Sequence, residues 1–373
     1  METKIIKLDA ENVDIAAIKE AAEVLDAGGL VGFPTETVYG IGCRARNDSL
    51  TRLDRVKGRS ANKYYTLHIA EPTDALKYVP TMGLRAKKLI KNGWPGPLTI
   101  VFGLDGKDVE IQRNKLPGEV FAILYRDNSI GIRCPDNRIA SMLLAEAKNA
   151  ILAPSANIAG QAPAVEAKEV IERFSGQIEM VLDGGLCSHK ISSTVVKLDN
   201  SGASILRQGV YSESEVLEKA TVTILFVCTG NSCRSPMAEG LFKKYLAEKF
   251  GCTVDRLIEK GYNILSAGTL GIVGFPATSQ AIRACADRGV DIAGHRSRGL
   301  RRYLIEQSDI IYVLAGMHRD SVLEISPEAA DKCLLLAEDA DITDPIGQPQ
   351  EVYDVCAGLI DDAVTKRFDE LVL

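Results

Sequence analysis

The sequence is poor in residues that several classes of protein require. It contains four histidines, far apart, and nine cysteines without a Cys-x-x-Cys pair. A dedicated zinc site and a disulfide framework are therefore not expected, and the thiols should be reduced. No apolar run reaches the roughly 18 residues that cross a bilayer, and residues 1–8 show no signal-peptide pattern. These absences predict a cytoplasmic protein that does not associate with membranes.

Positive charge is not in excess either. The 44 lysines and arginines stand against 50 aspartates and glutamates, which gives a net charge of −6. That balance argues against a surface that coats nucleic acid, although it does not exclude a local basic patch. The hydrophobic fraction of 46% and the charged fraction of 25% are typical of globular proteins. A length of 373 residues predicts two domains, at about 150 residues each.

Two segments of the chain open with a strand pattern. The first is 29-GLVGFPTETVYGIG-42, and the second is 222-VTILFVCTGNSCRSPMAEGLFKKYL-246. Between them, residues 208–221 have the pattern of a turn followed by a short polar helix. We therefore predict a first domain over residues 1–210, a linker over 211–221 and a second domain over 222–373.

The hydrophobic periodicity predicts different arrangements in the two domains. In the first domain we predict helices over 12–27, 49–57, 83–92, 138–147 and 164–174, and strands over 30–34, 98–103, 120–124, 150–153, 179–182 and 194–198. In the second domain we predict strands over 222–227, 262–266, 310–313 and 333–335, and helices over 236–250, 278–288, 299–307, 317–324 and 350–370. The first is a mixed α/β pattern, whereas the alternation in the second indicates a parallel sheet with helices on both faces.

The second domain contains a thiol at the start of a predicted phosphate-binding loop. Cys228 ends the predicted strand, and Arg234 follows after five intervening residues. Backbone N–H groups of such a loop bind a tetrahedral dianion and favour a thiolate. Arg234 can grip two phosphate oxygens at once. Ser235 can donate a hydrogen bond to the thiolate, and it fits the N-cap of the next helix, with Pro236 at the first helical position.

A thiolate that attacks phosphorus needs an acid to protonate the leaving atom. The candidate is Asp344 in 341-DITDPIGQPQEVYD-354, where Pro345 fixes the backbone shortly before a long predicted helix. Asp339 and Asp341 are rivals for the same role. A solvated acidic loop without a catalytic residue is the remaining alternative.

These motifs together resemble the low-molecular-weight protein-tyrosine phosphatase family from about residue 222 to the end. The matching segments are VCTGNSCRSPMAE, 265-LSAGT-269 and A-D-I-T-D-P. The resemblance implies a doubly wound parallel sheet and no cofactor. It also implies that Cys228 is the nucleophile, Arg234 the clamp on the transition state and Asp344 the general acid. The phosphate-loop residues that it implies are Thr229, Gly230, Asn231, Ser232, Cys233 and Ser235.

Two positions bear on which phosphorylated side chain is the substrate. Ser232 stands where the phosphoarginine-hydrolysing subgroup of this family has threonine and tyrosine phosphatases commonly have a bulky aliphatic residue. Ile346, after the Asp-Pro pair, departs from the aromatic residues of both groups. Because a hydroxyl can accept a hydrogen bond from a guanidinium, we predict hydrolysis of protein phosphoarginine, with phosphotyrosine as the alternative. Cys233 either forms a reversible disulfide with Cys228 or packs as a small residue under the loop.

The first domain lacks the Walker and Gly-x-Gly-x-x-Gly phosphate loops. Instead, polar residues cluster at the ends of predicted elements. Taken alone, each cluster indicates at most an anion site, because a Lys-Gly-Arg triplet is usually a solvated helix end and a histidine in an apolar strand usually belongs to the core. The clusters are 35-TET-37 with Tyr39, 57-KGR-59, His68, Arg133, 155-SAN-157, 193-ST-194 and Arg207.

The order of these clusters resembles the YrdC-type threonylcarbamoyl-AMP synthases over about residues 3–210. The matching segments are FPTETVYGIG, KGR, WPGPLT, GIRCP, APSAN, DGG, STVV and ILRQG. The resemblance implies a twisted mixed α/β sheet with a concave cavity. It implies a reaction that joins L-threonine, bicarbonate and ATP, accompanied by Mg²⁺, into threonylcarbamoyl-AMP and pyrophosphate. The product would serve tRNA threonylcarbamoyladenosine modification, with tRNA or a threonylcarbamoyl-transferase complex as a partner.

The same resemblance assigns residues to this reaction. Lys57 and Arg59 would neutralise the triphosphate, and Thr35, His68 and Arg133 would bind L-threonine. The other ATP-binding residues would be Ser129, Ser155, Asn157, Ser193 and Arg207. We therefore predict a bifunctional enzyme that acts on ATP, L-threonine, bicarbonate and phosphorylated proteins. The alternative is a tyrosine phosphatase whose first domain binds nucleotide or RNA without synthase activity.

Overall fold

The computed structural model describes residues 1–59, 64–199, 202–338 and 340–371. They form two compact units, of which the first comprises Met1–Met82 and Leu89–Lys219 and the second Gly83–Lys88 and Ala220–Leu373. The predicted α/β class is confirmed, with a ten-stranded mixed sheet in the first unit and a four-stranded parallel sheet in the second. In the part of the chain described, no helix has the length and apolar character needed to cross a membrane.

The first unit is built around the mixed sheet. Its strands are β1 (Lys4–Lys7), β2 (Val31–Phe33), β3 (Gly40–Arg44), β4 (Thr66–His68), β5 (Leu98–Gly103), β6 (Ser129–Arg133), β7 (Ile151–Leu152), β8 (Met180–Asp183), β9 (Thr194–Asp199) and β10 (Gly202–Arg207). The helices in this part of the sequence are α1 (Ile15–Asp26), α2 (Asn47–Lys57), α3 (Leu84–Gly93), α4 (Gly106–Lys115), α5 (Gly118–Leu124), α6 (Arg138–Glu146), α7 (Ala167–Phe174) and α8 (Glu213–Ala220).

The strand order of this sheet is β1-β8-β2-β3-β7-β4-β6-β5-β9-β10. The parallel pairing of β4 with β6 sets His68 beside Arg133, and the antiparallel pairing of β5 with β6 sets Thr99 on the other side of Arg133. Directly paired residues project to the same face of a sheet. The register therefore brings three polar side chains, from strands far apart in sequence, into one row.

Helix α1 shows how the core of this unit forms. Asp14 caps the helix by accepting hydrogen bonds from the N–H groups of Ala16 and Ala17, at 2.9 Å and 3.4 Å. Its buried residues, among them Ile18 and Leu25, recur at helical spacing and join a hydrophobic cluster with residues of α6 and of strands β2, β7 and β8. The apolar stripe predicted from the sequence thus faces the sheet.

The second unit is a doubly wound parallel sheet. Its strands are β11 (Val222–Cys228), β12 (Tyr262–Gly268), β13 (Ile310–Val313) and β14 (Cys333–Leu335), in the order β12-β11-β13-β14. Its helices are α9 (Arg234–Phe250), α10 (Ser279–Ala286), α11 (Arg302–Gln307), α12 (Gly316–Ile325) and α13 (Gln350–Glu370).

Both faces of β11 are buried, as its uninterrupted apolar sequence requires. Ile224 and Phe226 pack into one core cluster with residues of α9, α10 and α13. Leu225 and Val227 pack into a second cluster with residues of α11 and α12. Because side chains alternate along a strand, this division places Cys228 on the face of α9, at the end of the strand.

Two local predictions are wrong. Residues 120–124, predicted as a strand, lie in helix α5, where Phe121 stacks on Tyr125 four residues later with 5.0 Å between ring centroids. A short apolar run does not distinguish the two structures by itself. Helix α9 begins at Arg234, so Cys233 rather than Ser235 occupies the N-cap and Pro236 is the third helical residue. Cys233 makes no capping bond, which leaves the first N–H groups of the helix for an anion.

Candidate active sites

The phosphate loop joins the end of β11 to the start of α9. Cys228 pairs with Gly268 at the end of β12. A Cβ atom at Gly268 would lie 2.7 Å from the carbonyl oxygen of Thr229 and 2.9 Å from the nitrogen of Asn231. The glycine of the 265-LSAGT-269 segment is therefore required because the loop backbone passes directly over it.

The Cys228 thiol is buried, with 2% of the residue exposed. Its Sγ atom lies 2.9 Å from the Ser235 hydroxyl and accepts a hydrogen bond from the Asn231 N–H at 3.3 Å. Burial raises the pKa of the Cys228 thiol, whereas the Ser235 hydrogen bonds and the charge of Arg234 lower it. Burial is the largest of these influences and the net direction is upward, so the structure does not by itself favour the thiolate that the sequence predicts at Cys228.

Asn231 holds the loop in shape from its buried interior. It has a φ angle of 54°, a left-handed conformation that asparagine tolerates better than most residues. Its amide Nδ2 donates to the hydroxyls of Ser235 at 2.9 Å and Ser266 at 2.8 Å. Its Oδ1 accepts from the Arg298 N–H at 2.7 Å, and its carbonyl accepts from His295 Nε2 at 2.8 Å. The Ser235 hydroxyl accepts from Asn231 and still has its own hydrogen, which it can donate to the sulfur of a Cys228 thiolate.

Arg234 is buried and its guanidinium is already engaged. Nη1 donates to the carbonyl of Ile342 at 2.9 Å, and Nη2 donates to the Thr229 hydroxyl at 3.1 Å and to the carboxylate of Asp344. The structure thus brings the predicted clamp and the predicted acid together. Of the rival acids, Asp341 accepts the N–H of Gly316 at 2.8 Å, and residue 339 lies outside the described residues.

A histidine that the sequence did not single out supports the loop. His318 is fully buried, and its Nε2 lies 2.9 Å from the Thr229 hydroxyl. Burial, helped by the charge of Arg234, lowers the pKa of His318 to about 4, so the ring is neutral. Its Nδ1 has no partner among the described residues. A buried N–H without a partner is costly, which places the ring proton on Nε2.

This tautomer has a consequence for Thr229. Its oxygen then accepts hydrogen bonds from both His318 Nε2 and Arg234 Nη2. The hydroxyl hydrogen is left over, and it can be donated to a phosphate oxygen in the loop. Sequence spacing gave no signal for this arrangement, because 89 positions separate Thr229 from His318.

The remaining predicted loop residues lie at one edge of the site. Cys233 Sγ is 3.5 Å from both the Thr278 hydroxyl and the Tyr353 hydroxyl, and it is a free thiol. Gly230 and Ser232 line a groove of about 550 Å³ together with an apolar segment that includes Phe275. The exposed positions next to the site, Phe275 at 62% and Ile346 at 55%, leave the approach to the loop apolar and open.

In the first unit, a cavity of about 100 Å³ gathers six of the predicted site residues. It lies over the row of side chains set by β4, β5 and β6, with further walls from β3 and the loop before β9. Thr99 joins them, although the sequence did not single it out. The predicted residues at this cavity are Thr35, His68, Arg133, Ser155, Ser193 and Arg207.

Arg133 is fixed by a buried acid. Its Nη2 donates to the carboxylate of Glu36 at 2.8 Å and to the hydroxyls of Thr37 at 2.7 Å and Thr35 at 3.4 Å. Both charged residues are nearly buried, at 5% and 6% exposure. We expected Arg133 to pair with a substrate carboxylate, but its charge is balanced within the protein by Glu36. The remaining guanidinium N–H groups determine what else it can bind.

His68 contributes a neutral ring to the same cavity. Its Nδ1 donates to the carbonyl of Thr66 at 3.1 Å. Burial and the nearby charge of Arg133 lower the pKa of His68 to about 3. The ring is therefore neutral at physiological pH, and Nε2 carries a lone pair that can accept a hydrogen bond from a ligand.

Arg207 and Ser193 form another wall of the cavity. Arg207 Nη2 donates to the carbonyl of Ser193 at 2.7 Å and to its hydroxyl at 3.1 Å. That hydroxyl lies 3.0 Å from the hydroxyl of Thr99. Burial, with a smaller contribution from Arg133, lowers the pKa of Arg207. Because Glu36 balances the charge of Arg133, Arg207 is the cation at this cavity that favours an anionic ligand.

Four predicted ATP-binding residues do not line this cavity. The buried ammonium of Lys57 donates to the carbonyls of Ser155 and Asn157, the latter at 2.7 Å, and burial lowers its pKa to about 8. Lys57 therefore supports the 155–157 loop from behind. The other three are Arg59, Ser129 and Asn157. The Arg59 guanidinium lies 5.1 Å from the centre of the Tyr65 ring, and the Ser129 hydroxyl donates to the Arg126 carbonyl at 2.8 Å. The Asn157 amide donates to the carbonyls of Ile158 and Gln161.

Comparison with known families matches both halves of the chain. Residues 23–209 match the Sua5/YciO/YrdC family, described as telomere recombination. Residues 223–372 match the low molecular weight phosphotyrosine protein phosphatases.

Individual relatives agree with this division. A protein named threonylcarbamoyl-AMP synthase from Pyrococcus abyssi is 35% identical over 203 residues, which cover 53% of this chain and 56% of that protein. A protein named protein-arginine-phosphatase from Geobacillus stearothermophilus is 32% identical over 153 residues, which cover 40% of this chain and 95% of that protein.

The structure of a variant of P. abyssi Sua5 superposes with a TM-score of 0.51 at 25% identity, covering 72% of this chain and 92% of that one. The chain spans about half the length of the curated synthase relatives that it matches. The first half of the chain matches a family model, and the second half matches nearly the full length of a relative. This chain therefore belongs to the Sua5/YciO/YrdC family and carries a low molecular weight phosphatase domain after it.

Proposed function

We propose that the second domain hydrolyses phosphorylated proteins through a cysteinyl-phosphate intermediate. The observation that carries this proposal is the buried Cys228 sulfur at the start of the phosphate loop, in contact with the Ser235 hydroxyl and the Asn231 N–H. The thiolate attacks phosphorus, the S–P bond forms, and the bond to the leaving group breaks as Asp344 protonates it. The Asp344 carboxylate then takes a proton from the water that attacks phosphorus, the S–P bond breaks, and the thiolate leaves with Ser235 donating to it.

The contact between Arg234 and Asp344 fits a resting state of this cycle. A phosphate dianion in the loop competes with Asp344 for the Arg234 guanidinium, because two of its oxygens can accept hydrogen bonds from the guanidinium at once. Asp344 would then be released to carry a proton to the leaving group. Substrate binding and activation of the acid are thereby one event.

We propose phosphoarginine as the substrate side chain. Ser232 offers a hydroxyl at the loop edge, where a guanidinium can donate to it, and the exposed Ile346 offers no aromatic face for a phosphotyrosine ring. The relative named protein-arginine-phosphatase supports the same choice. Phosphotyrosine is the second candidate, supported by the match to the phosphotyrosine phosphatase family.

The test compares hydrolysis of a phosphoarginine-containing protein with that of a phosphotyrosine peptide, with Cys228→Ser as the blank. We expect preference for phosphoarginine, and Ser232→Ile should shift the preference towards tyrosine. Ser232→Thr is the matched control, because it keeps the hydroxyl and should keep the preference. Equal loss of both activities in Ser232→Ile would show that this residue does not select the substrate.

For the first domain we propose synthesis of threonylcarbamoyl-AMP from L-threonine, bicarbonate and ATP. The proposal is supported by the cavity that gathers Thr35, His68 and Arg207 and by the relatives named threonylcarbamoyl-AMP synthase. The lone pair of His68 Nε2 would accept a hydrogen bond from the ammonium or hydroxyl of threonine. Arg133, balanced by Glu36, would position Thr35 and Thr37, and Arg207 would face a phosphate or carboxylate.

The residues present do not form a resident metal site. No group of three histidine, cysteine, aspartate or glutamate side chains that could hold an ion exists among the described residues. Mg²⁺ would therefore arrive as the complex with ATP, held by phosphate oxygens.

Pyrophosphate release tests the synthase proposal. We expect release only when ATP, L-threonine and bicarbonate are all present, and loss of release in Arg207→Ala. Binding of ATP without pyrophosphate release would support the alternative, a nucleotide- or RNA-binding module attached to a phosphatase. A role in tRNA modification, contact with a threonylcarbamoyl-transferase complex and a cytoplasmic location follow as proposals from the same assignment.

A further inference from the structure

The second unit contains a large cavity that no catalytic residue lines. It has a volume of about 910 Å³ and lies between α9 and the segment around residues 289–298. This volume is within the range of small-molecule binding sites. Part of the lining is apolar, and the residues that supply it are Pro236, Ala247, Cys252, Val254, Val290 and Ile292.

A glycine within α9 allows the apolar wall to form. A Cβ atom at Gly240 would lie 2.7 Å from Val290 Cγ1 and 2.8 Å from Ile292 Cγ2. Glycine is unfavourable inside a helix, yet here it lets the buried side chains of Val290 and Ile292 approach the helix backbone. The wall of the cavity is therefore closely packed and preformed.

The charged side chains that line the cavity have a slightly positive balance. The four cationic ones are Lys243, Lys244, Arg296 and Arg298, and the three carboxylates are Glu239, Glu248 and Asp291. Lys243 is paired with Glu239, so neither is free to compensate a ligand. Within the described part of the chain, the Arg296 side chain donates to backbone carbonyls alone, to that of His295 at 2.6 Å, and the exposed Arg298 has no ion-pair partner. Two arginines thus lack a carboxylate partner next to an apolar surface, which suits a ligand with one anionic group and an apolar body.

The cavity is also connected to the phosphate loop through Asn231. His295 Nε2 donates to its carbonyl at 2.8 Å, and the Arg298 N–H donates to its Oδ1 at 2.7 Å. Ser266 accepts from its amide at 2.8 Å and donates to Glu239 at 2.5 Å. All four of these residues line the cavity. A ligand there contacts the groups that hold the left-handed residue of the loop.

We propose that this cavity binds a small organic anion with an apolar body and that its occupancy alters the phosphate loop. Binding of the ligand in the cavity does not depend on whether the second domain has phosphatase activity. The effect on turnover rests on the proposed phosphatase function, because it acts through Asn231 on the Cys228 environment.

The binding arm uses anilinonaphthalene sulfonate, an aromatic anion whose fluorescence rises in an apolar site, with the full chain. We expect Arg296→Ala combined with Arg298→Ala to weaken binding by about tenfold, the loss expected for charge-assisted contacts. Arg298→Ala keeps the backbone N–H that Asn231 needs. Arg301→Ala, an exposed arginine outside the cavity, is the matched control and should bind as the unmodified chain does. Inorganic phosphate, which the proposed function places in the loop after Cys228, should not displace the probe.

The activity arm separates this site from the catalytic loop. The probe should change kcat with little change in KM, and Arg296→Ala should keep basal activity while losing most of the response. Unchanged probe affinity in the double variant, or displacement by phosphate, overturns the site. A purely competitive effect overturns the coupling. Absence of phosphatase activity towards every substrate would contradict the proposed function instead, and the fluorescence result would still decide the binding site.

Discussion

The Cys228 thiol lies between two opposing influences. Burial raises its pKa, and hydrogen bonds from Ser235 and Asn231 together with the charge of Arg234 lower it. The neutral thiol is inert towards phosphorus, so each donor contributes to reactivity by stabilising the thiolate. The reactivity of Cys228 in the proposed reaction thus depends on its neighbours as much as on the cysteine itself.

Ser235→Ala should raise the pKa of Cys228, because it removes the hydroxyl that donates to the sulfur at 2.9 Å. The thiolate is the deprotonated form, so the pH midpoint of alkylation by iodoacetamide should move upward. Alkylation at neutral pH should slow by roughly fivefold. Ser232→Ala is the control, since that hydroxyl contacts Cys233 and not Cys228. An unchanged midpoint would mean that Ser235 does not stabilise the thiolate.

Thr229 provides a second test at the scale of one residue. If its hydroxyl donates to phosphate, Thr229→Val should weaken inhibition by inorganic phosphate by about tenfold, whereas Thr229→Ser should leave it nearly unchanged. His318→Gln, which keeps an N–H donor, should weaken inhibition by inorganic phosphate less than His318→Leu does. Equal inhibition constants for Thr229→Val and the unmodified chain would contradict the assignment of the His318 proton.

At the scale of elements, strand register assembles the first site. Parallel pairing of β4 with β6 and antiparallel pairing of β5 with β6 align His68, Arg133 and Thr99. A shift of one residue in any of these strands would turn its side chain to the opposite face. The cavity therefore depends on the register of the sheet, and the buried ion pair with Glu36 holds the Arg133 side chain in place within it.

Glu36→Ala should destabilise the first unit by about 3–5 kcal/mol, because it leaves the buried guanidinium of Arg133 uncompensated. Trp94 is the single tryptophan of the chain and is buried in this unit, so its fluorescence during urea unfolding reports the loss. The double variant Glu36→Ala with Arg133→Met should recover part of the stability, since no charge is left unpaired. A double variant less stable than Glu36→Ala alone would contradict this account.

Elements differ in how well local sequence predicts them. The long amphipathic helices and the continuous apolar strand β11 follow from periodicity, and the structure contains them. The short strands β3 and β6, with sequences GIGCR and SIGIR, were not predicted, because glycine lowers strand propensity and pairing within a large sheet compensates for it. Residues 118–124 show the opposite error, because their composition is typical of a strand and yet they form a helix, in which local packing overrides that preference.

At the scale of the whole molecule, each unit has its own sheet and its own hydrophobic clusters. Cys228 and the cavity of the first domain therefore belong to separate cooperative cores. Sites that share no residues are expected to respond independently to substitution.

Cys228→Ser should abolish phosphatase activity and leave pyrophosphate release within about twofold of the unmodified chain. Arg207→Ala should have the reciprocal effect. Both activities are measured on the same preparations of the full chain, so differences in concentration cancel. Loss of both activities in either variant would mean that the two sites are energetically coupled.

The sequence by itself determined the chemistry of contiguous segments. Residues 228–235 place a thiol, a turn-forming asparagine, an arginine and a serine in one loop, and short-range geometry is enough to make that loop a phosphate cradle. The order of the polar clusters likewise identified the first domain. Tertiary structure alone decided the partners of these residues: His318 behind Thr229, His295 and Arg298 around Asn231, and Glu36 against Arg133. Strand register and side-chain packing set these contacts, and neither is encoded in local spacing.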